Sequence, residues 1–374
     1  MTIDDVLRPM RFPRGTEARN GLWLAPLTNL QSEPDGTLSS AEERWLLRRA
    51  EGGFGVVETC AAYVAQDGKA WPGELGIDRD ACVPRLAELA AGLRSRGALG
   101  LVQLFHGGAR AARAVSGLEP WSATAVTTAG AGMEPARAGS EEDLARVIDD
   151  FRAAALRAHA AGFDGIEVHG AHGYLLCQFL SAVAPARDDR WGGSLEGRAR
   201  LLREVVRAIR QAVPPPFLVG VRLSPENYGA ITGLDLDETA IVARDLVEDG
   251  IDFLHLSLWD HRLPSRKYPD ENPYRRVRAA VPADVPMVAA GQFWTPDEVA
   301  SWVGSVGGPV GSAPVALGRA AILNPEWPRL AATPGWLPRR PPMTAAELGA
   351  ADVSPTFVQY LRRWKGFVAD APVL

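Results

Sequence analysis

Eight short apolar runs recur along the chain, each too continuous to alternate between core and solvent, with helical segments between them. Strands of that kind are buried on both faces, which is the condition of a parallel sheet covered by crossover helices. The runs occupy residues 21–28, 54–59, 99–106, the start of 163–175, 217–223, 251–258, 286–291 and 315–319. Residues 40–51 are amphipathic, and 83–96 place Val83, Leu86, Leu89, Ala90 and Leu93 on one face. Ser140-Glu141-Glu142-Asp143 reads as a capped helix start, and Leu201 to Ile209 mark a helix stopped by Pro214-Pro215-Pro216. Asp237 opens a further helix, and Thr295-Pro296-Asp297-Glu298 combines a capping Thr, a first-turn Pro and a reciprocal Glu.

Two architectures accommodate this alternation. An open doubly wound sheet would carry a Gly-rich dinucleotide fingerprint after its first strand, where this chain has Ala25-Pro26-Leu27-Thr28. The expectation is therefore an α/β fold, a single (β/α)8 TIM barrel over residues 1–374 with extra loops at the C-terminal face of its strands. Residues 330–374 form a Pro-rich C-terminal extension. It ends in an amphipathic segment, 357–367, that packs on the barrel or on a neighbouring subunit.

A formal charge of -5 and the lack of dense Lys or Arg runs argue against a nucleic-acid partner. No apolar run is long enough for a membrane span and no signal peptide precedes the first strand, so a cytoplasmic protein is expected. Cys60, Cys82 and Cys177 are too scattered for a disulfide framework or a metal knuckle. None of the three lysines, Lys69, Lys267 and Lys365, lies in an expected strand, which argues against Schiff-base chemistry.

In such barrels chemistry collects at the C-terminal strand ends. Here those ends offer Thr28, Thr59, Gln103, His106, His169 with His172 and Tyr174, Arg222, Gly291, and Gly318 with Arg319. An amide such as Gln103 can both donate to and accept from a pyrimidine edge. A fixed cation such as Arg222 would stabilise negative charge on a reduced ring, and Gly318 and Arg319 would hold a phosphate. That inventory suits flavin mononucleotide. Two long loops, around Trp121 within 107–139 and from Trp259 to Tyr268, are expected to shape the substrate pocket.

His169-Gly170-Ala171-His172-Gly173-Tyr174-Leu175, Gln178-Phe179-Leu180-Ser181 and Arg187-Asp188-Asp189-Arg190-Trp191-Gly192-Gly193-Ser194 together resemble the old yellow enzyme family of FMN-dependent ene-reductases. Ala25-Pro26-Leu27-Thr28, Val102 to His106, Val221-Arg222-Leu223-Ser224 and Leu317-Gly318-Arg319-Ala320 match its other blocks in order. The resemblance implies FMN as cofactor, NADPH or NADH as reductant and an enone-type small molecule as substrate. It implies that Ala25, Pro26, Leu27, Thr28, Thr59, Gln103, Arg222, Gly291, Gly318 and Arg319 form the flavin site, with Thr28 near the ring's O4 and N5. His169 and His172 would grip the substrate carbonyl and Tyr174 would donate the proton. It also implies a homo-oligomer, dimer or tetramer, in which Arg362 reaches a substrate site, its own or a neighbour's. Arg110 stands one residue later than the family pattern and is given no cofactor role; Leu30 and Gly197 also depart from it.

Other chemistries remain open on the residues alone. His-x-x-His spacing could hold a metal in a barrel hydrolase or lyase, though the nearest acids, Glu58 and Glu167, lie inside their strands. The same flavin site could serve a desaturase or a redox-neutral biosynthetic step, or could bind flavin without catalysis. His106 and His255 read as structural histidines.

Overall fold

The computed structural model describes residues 2–128, 132–183, 187–229, 231–306, 311 and 313–369. The apolar runs become eight parallel strands, here β1 (Leu22–Leu24), β2 (Val56–Tyr63), β3 (Leu99–Phe105), β4 (Gly165–Gly170), β5 (Leu218–Leu223), β6 (Phe253–Ser257), β7 (Met287–Ala290) and β8 (Val315–Leu317). Each pairs with its sequence neighbours, and β8 returns to β1 through Val315–Leu22, Ala316–Trp23 and Leu317–Leu24. The sheet is thus closed, an eight-stranded barrel without a free edge.

Helix starts follow the capping residues. Ser39 accepts the Glu42 N–H at the head of Ser40–Glu51, and Ser140 with Asp143 forms a reciprocal box before Glu141–Ala160. Thr295 accepts the Glu298 N–H while the Glu298 carboxylate accepts those of Trp294 and Thr295. The Leu236–Glu248 helix begins one residue before its anticipated opening at Asp237, because Asp235 is the cap. Among the described residues no helix is long and apolar enough to cross a membrane.

Two strands differ from expectation in ways that matter for the site. β1 stops at Leu24: the Ala25 N–H still reaches Leu317 O at 3.1 Å, but Pro26 has no N–H with which to continue the ladder. β2 runs four residues past its anticipated end, with a register shift against β3 between Glu58 and Ala61. Such a bulge re-aims the residues beyond it.

The amino end of the barrel is plugged. A short hairpin, Met10–Arg11 with Glu17–Ala18, packs Met10, Phe12 and Ala18 against Trp23, Leu218 and Phe253. The Phe12, Trp23 and Phe253 rings meet at 5.0–6.1 Å. The opposite, carboxyl end carries the long loops. Trp121 itself is wholly buried, packs on His106 and donates its indole N–H to Asp67 at 2.9 Å, while residues 122–128 after it line a second cavity of about 300 Å³ that reaches His172 and Gly173. Trp259 stacks on Tyr228 and stays mostly exposed. Residues 129–131 of the first loop lie outside the described residues.

Candidate active site

At the carboxyl end a cavity of about 310 Å³ is walled by Pro26, Leu27 and Thr28 after β1, Ala61 of β2, Gln103 of β3, His169 of β4, Arg222 of β5 and Arg319 after β8. His172, Tyr174 and Trp71 close one side, and Phe357, Tyr360, Leu361, Trp364 and Phe367 of the chain's own C-terminal segment close another. Six separate strands therefore meet at one opening, and five of them deliver polar groups to it.

The turn after β4 is built to present the imidazoles. His172 adopts φ +60° and Gly173 φ +73°, a left-handed pair that glycine tolerates and histidine rarely adopts. Local bonds hold it there: the His172 N–H donates to Ser224 Oγ at 3.0 Å, and Arg110 Nη1 donates to His172 O at 2.7 Å. Gln178 Nε2 donates to Gly173 O at 2.8 Å.

Each ring's tautomer follows from its neighbour. The Ala171 N–H donates to His169 Nδ1 at 3.2 Å, so the His169 proton sits on Nε2. Arg222 Nη2 donates to Ser257 Oγ at 3.1 Å. The Ser257 hydroxyl can then donate to His172 Nε2 at 2.6 Å, an arrangement that puts the His172 proton on Nδ1. Burial, then the Arg222 charge, holds both imidazoles well below the usual histidine range, so both are neutral donors.

Tyr174 lies against Phe105 (centroids 4.5 Å apart) and His169 (5.1 Å), with the Arg110 guanidinium 4.8 Å over its ring. Its hydroxyl has no hydrogen-bond partner among the described residues. Burial pushes its pKa up to about 12, with Arg110 pulling the other way.

Gln103 donates Nε2 to Glu167 Oε1 at 2.7 Å, which fixes the amide and leaves its carbonyl oxygen as the free acceptor. Arg222 Nε is buried without a partner, and Arg319 has no acidic partner among the described residues. Thr28 and Tyr360 stand together on the cavity wall. An acceptor for an imide N–H, a guanidinium with an unused donor and a second free guanidinium make the complement of a flat ring system bearing a phosphate.

The remaining anticipated residues stand outside the cavity wall. Thr59 is not at a strand end: it is wholly buried in the β2 bulge, its hydroxyl donating to Cys60 O at 2.8 Å, and Ala61 takes the wall position. Ala25 is buried in the barrel end, and Gly291 O accepts from the His261 N–H and Nδ1. Gly318 caps the short Arg319–Leu323 helix, where an added Cβ would meet only Leu27 at 3.4 Å. Arg362 does not line the cavity, whereas Tyr360, Leu361 and Trp364 beside it do.

Sequence reasoning missed Trp71, which lies in a loop with no periodicity to announce it, and Ser257, an ordinary last residue of β6. It also missed that Tyr360 and Trp364 face the cavity, since their helical spacing equally suits docking. The His169–His172 pair shows no metal arrangement. The one group of described residues with ligand-like spacing is Glu58, Glu167 and His255, beneath the cavity.

Comparison with known proteins agrees with this geometry. Residues 5–333 match the family model described as NADH:flavin oxidoreductase / NADH oxidase. The chain is 35% identical over 330 residues to the probable NADH-dependent flavin oxidoreductase YqiG of Bacillus subtilis, covering 86% of each. It is 33% identical over 332 residues to NADH:fumarate oxidoreductase of Klebsiella pneumoniae, spanning 86% of this chain but 35% of that longer protein. Among solved structures, the old yellow enzyme homologue from Zymomonas mobilis superposes with a TM-score of 0.80 at 26% identity, over 93% of this chain and 98% of that one. The chain belongs to the NADH:flavin oxidoreductase / NADH oxidase family, that of the old yellow enzymes, and is an FMN-dependent, NAD(P)H-using oxidoreductase of the ene-reductase type.

Proposed function

We propose that the cavity reduces α,β-unsaturated carbonyl compounds, with His169 and His172 binding the carbonyl oxygen and Tyr174 delivering the proton to the α-carbon. The observation that carries this reading is that two neutral imidazole N–H donors and one protonated phenol open onto the same cavity as Gln103 and Arg222.

Gln103, Arg222 and Thr28 hold the flavin ring in this reading, and Gly318 with Arg319 hold its phosphate. FMN, when bound, supplies a hydride taken from NAD(P)H and given to the β-carbon. As hydride arrives, charge builds on the substrate oxygen, and the His169 Nε2–H and His172 Nδ1–H bonds strengthen with it. Bonds that tighten only then lower the barrier without over-binding the ground state. Tyr174 supplies the proton that completes C–H formation and is restored from solvent. The aromatic wall of Trp71, Tyr360 and Trp364 limits water at the reacting carbons.

Two relatives are named for unsaturated acids, NADH:fumarate oxidoreductase and the NADH:acrylate oxidoreductase of Vibrio harveyi, though the chain spans only 35% and 29% of them. They favour a conjugated C=C bond as the group reduced. The test is an anaerobic visible spectrum of the purified protein. Flavin absorbance should bleach with NADPH and return on adding cyclohexenone; bleaching without return would refute the alkene reading.

A further inference from the structure

Directly beneath the cavity floor, four strands bring four ionisable groups together: Glu58 of β2, Glu167 of β4, Arg222 of β5 and His255 of β6. Glu58, Glu167 and His255 are wholly inaccessible to solvent. Their ligand-type atoms all lie within 4.8 Å of one another. Glu167 is well served: Gln103 Nε2 donates to its Oε1 and His255 Nδ1 approaches its Oε2, both at 2.7 Å. Glu58 is not. Neither of its oxygens has a hydrogen-bond donor, and His255 Nδ1, 3.9 Å away, is already committed to Glu167.

Two buried carboxylates thus face one guanidinium. Arg222 can balance one negative charge, and a second, without a donor, is too costly to keep in a site of low dielectric. Such a group keeps its proton instead. The proton belongs on Glu58, because Glu167 alone has bonds that favour the anion. A metal cation would relieve the same strain, but Arg222 already holds a positive charge against this cluster.

We propose that Glu58 is a permanently protonated positioning acid, whose O–H donates to Glu167 and so locks the carboxylate that holds Gln103. The chain of contacts runs Glu58 to Glu167 to Gln103 Nε2, and its effect is to keep the Gln103 carbonyl oxygen turned to the flavin site. The electrostatics agree: burial and the neighbouring Glu167 push Glu58 far above the carboxylate range, while the hydrogen bonds from His255 and Gln103 and the Arg222 charge act to hold Glu167 down. Burial keeps His255 neutral, so its Nδ1–H is the donor to Glu167. The floor carries one carboxylate and one guanidinium, with no net charge. This assignment rests on the reading that Gln103 and Arg222 hold the flavin.

The test compares Glu58→Gln, neutral and still a donor, with Glu58→Leu, neutral without one. In the infrared spectrum of the wild-type protein, a protonated carboxylic acid C=O band should persist unchanged from about pH 6 to 9. The component that belongs to Glu58 should vanish in Glu58→Gln, leaving only what other buried carboxyls such as Glu74 contribute. FMN affinity, read by quenching of flavin fluorescence, should stay within about threefold in Glu58→Gln and weaken roughly tenfold or more in Glu58→Leu. The flavin midpoint potential of Glu58→Gln should match wild type. Absence of the band, a raised potential in Glu58→Gln, an equal loss of FMN in both variants, or stoichiometric metal in the purified protein would each overturn the proposal. If Glu58→Leu fails to fold, the band and the Glu58→Gln potential still decide. The band can also be read on apoprotein, so failure of the flavin-site reading would show separately, as wild-type protein that carries the band but binds no FMN.

Discussion

Replacing Tyr174 with Phe isolates the proton from everything else the residue does. The ring's contacts with Phe105, His169 and Arg110 all survive the substitution. The lost hydroxyl has no hydrogen-bond partner among the described residues, so none is left unsatisfied, and stability should change by no more than about 0.5 kcal/mol. What disappears is a positioned proton donor, which typically contributes about 10²–10⁴-fold, or roughly 3–5 kcal/mol of barrier. The reduction of the flavin by NADPH needs no proton at this position. Anaerobic stopped-flow measurement should therefore show alkene reduction slowed by about two to four orders of magnitude and flavin reduction within about twofold of wild type. Equal slowing of both halves would mean that the variant disturbs binding, and a fast alkene step would mean that the proton comes from elsewhere. Either result refutes the role given to Tyr174.

The same phenol sets the alkaline limit. Because burial raises its pKa to about 12, it stays in its donating form where an ordinary phenol, near 10, would be half ionised; the alkene step should hold its rate to about pH 11, and a decline centred near 10 would contradict the burial argument. Ending the chain before Pro355 should weaken FMN retention about tenfold or more and raise KM for the alkene, since it strips Tyr360, Leu361, Trp364 and Phe367 from the cavity wall; equilibrium dialysis of FMN checks this, and a dissociation constant within about twofold of wild type would show that the C-terminal segment is not part of the site.

The barrel was legible because its information is periodic. Runs buried on both faces cannot alternate, and caps such as Ser39, Ser140 and Thr295 mark where the chain must start to coil. The polar ends of β3, β4 and β5 were legible for a related reason: an amide, an imidazole or a guanidinium in an apolar run is costly unless it has a use. What could not be read is geometry that propensity does not encode. Nothing in Val-Val-Glu-Thr-Cys-Ala-Ala-Tyr announces a bulge, so Thr59 was placed at a strand end it does not occupy and Ala61 was overlooked. Trp121 and Trp71 are both aromatic residues in loops, and only tertiary packing sends the first to His106 and the second to the cavity. The donor atoms that settle tautomers, the Ala171 N–H and the Ser257 hydroxyl, belong to residues with no chemical signature of their own.

Those two atoms explain why the site can use histidine without histidine's charge. An imidazolium at either position would attract any anion, which would compete with a neutral carbonyl substrate for the site. A neutral N–H gains most of its strength only when the oxygen becomes negative. Keeping both rings neutral near pH 7 takes a cation nearby and burial, and Arg222 with the cavity wall supplies both. Arg222 does a second thing: it donates to Ser257 Oγ, the same hydroxyl that meets His172 Nε2 at 2.6 Å, and so joins both rings to one buried network. Burial and this one guanidinium thus hold two imidazoles neutral. The carboxylate that balances it, Glu167, fixes Gln103 from the other side, so the Gln103 acceptor and the imidazole donors that face the cavity share a single buried origin.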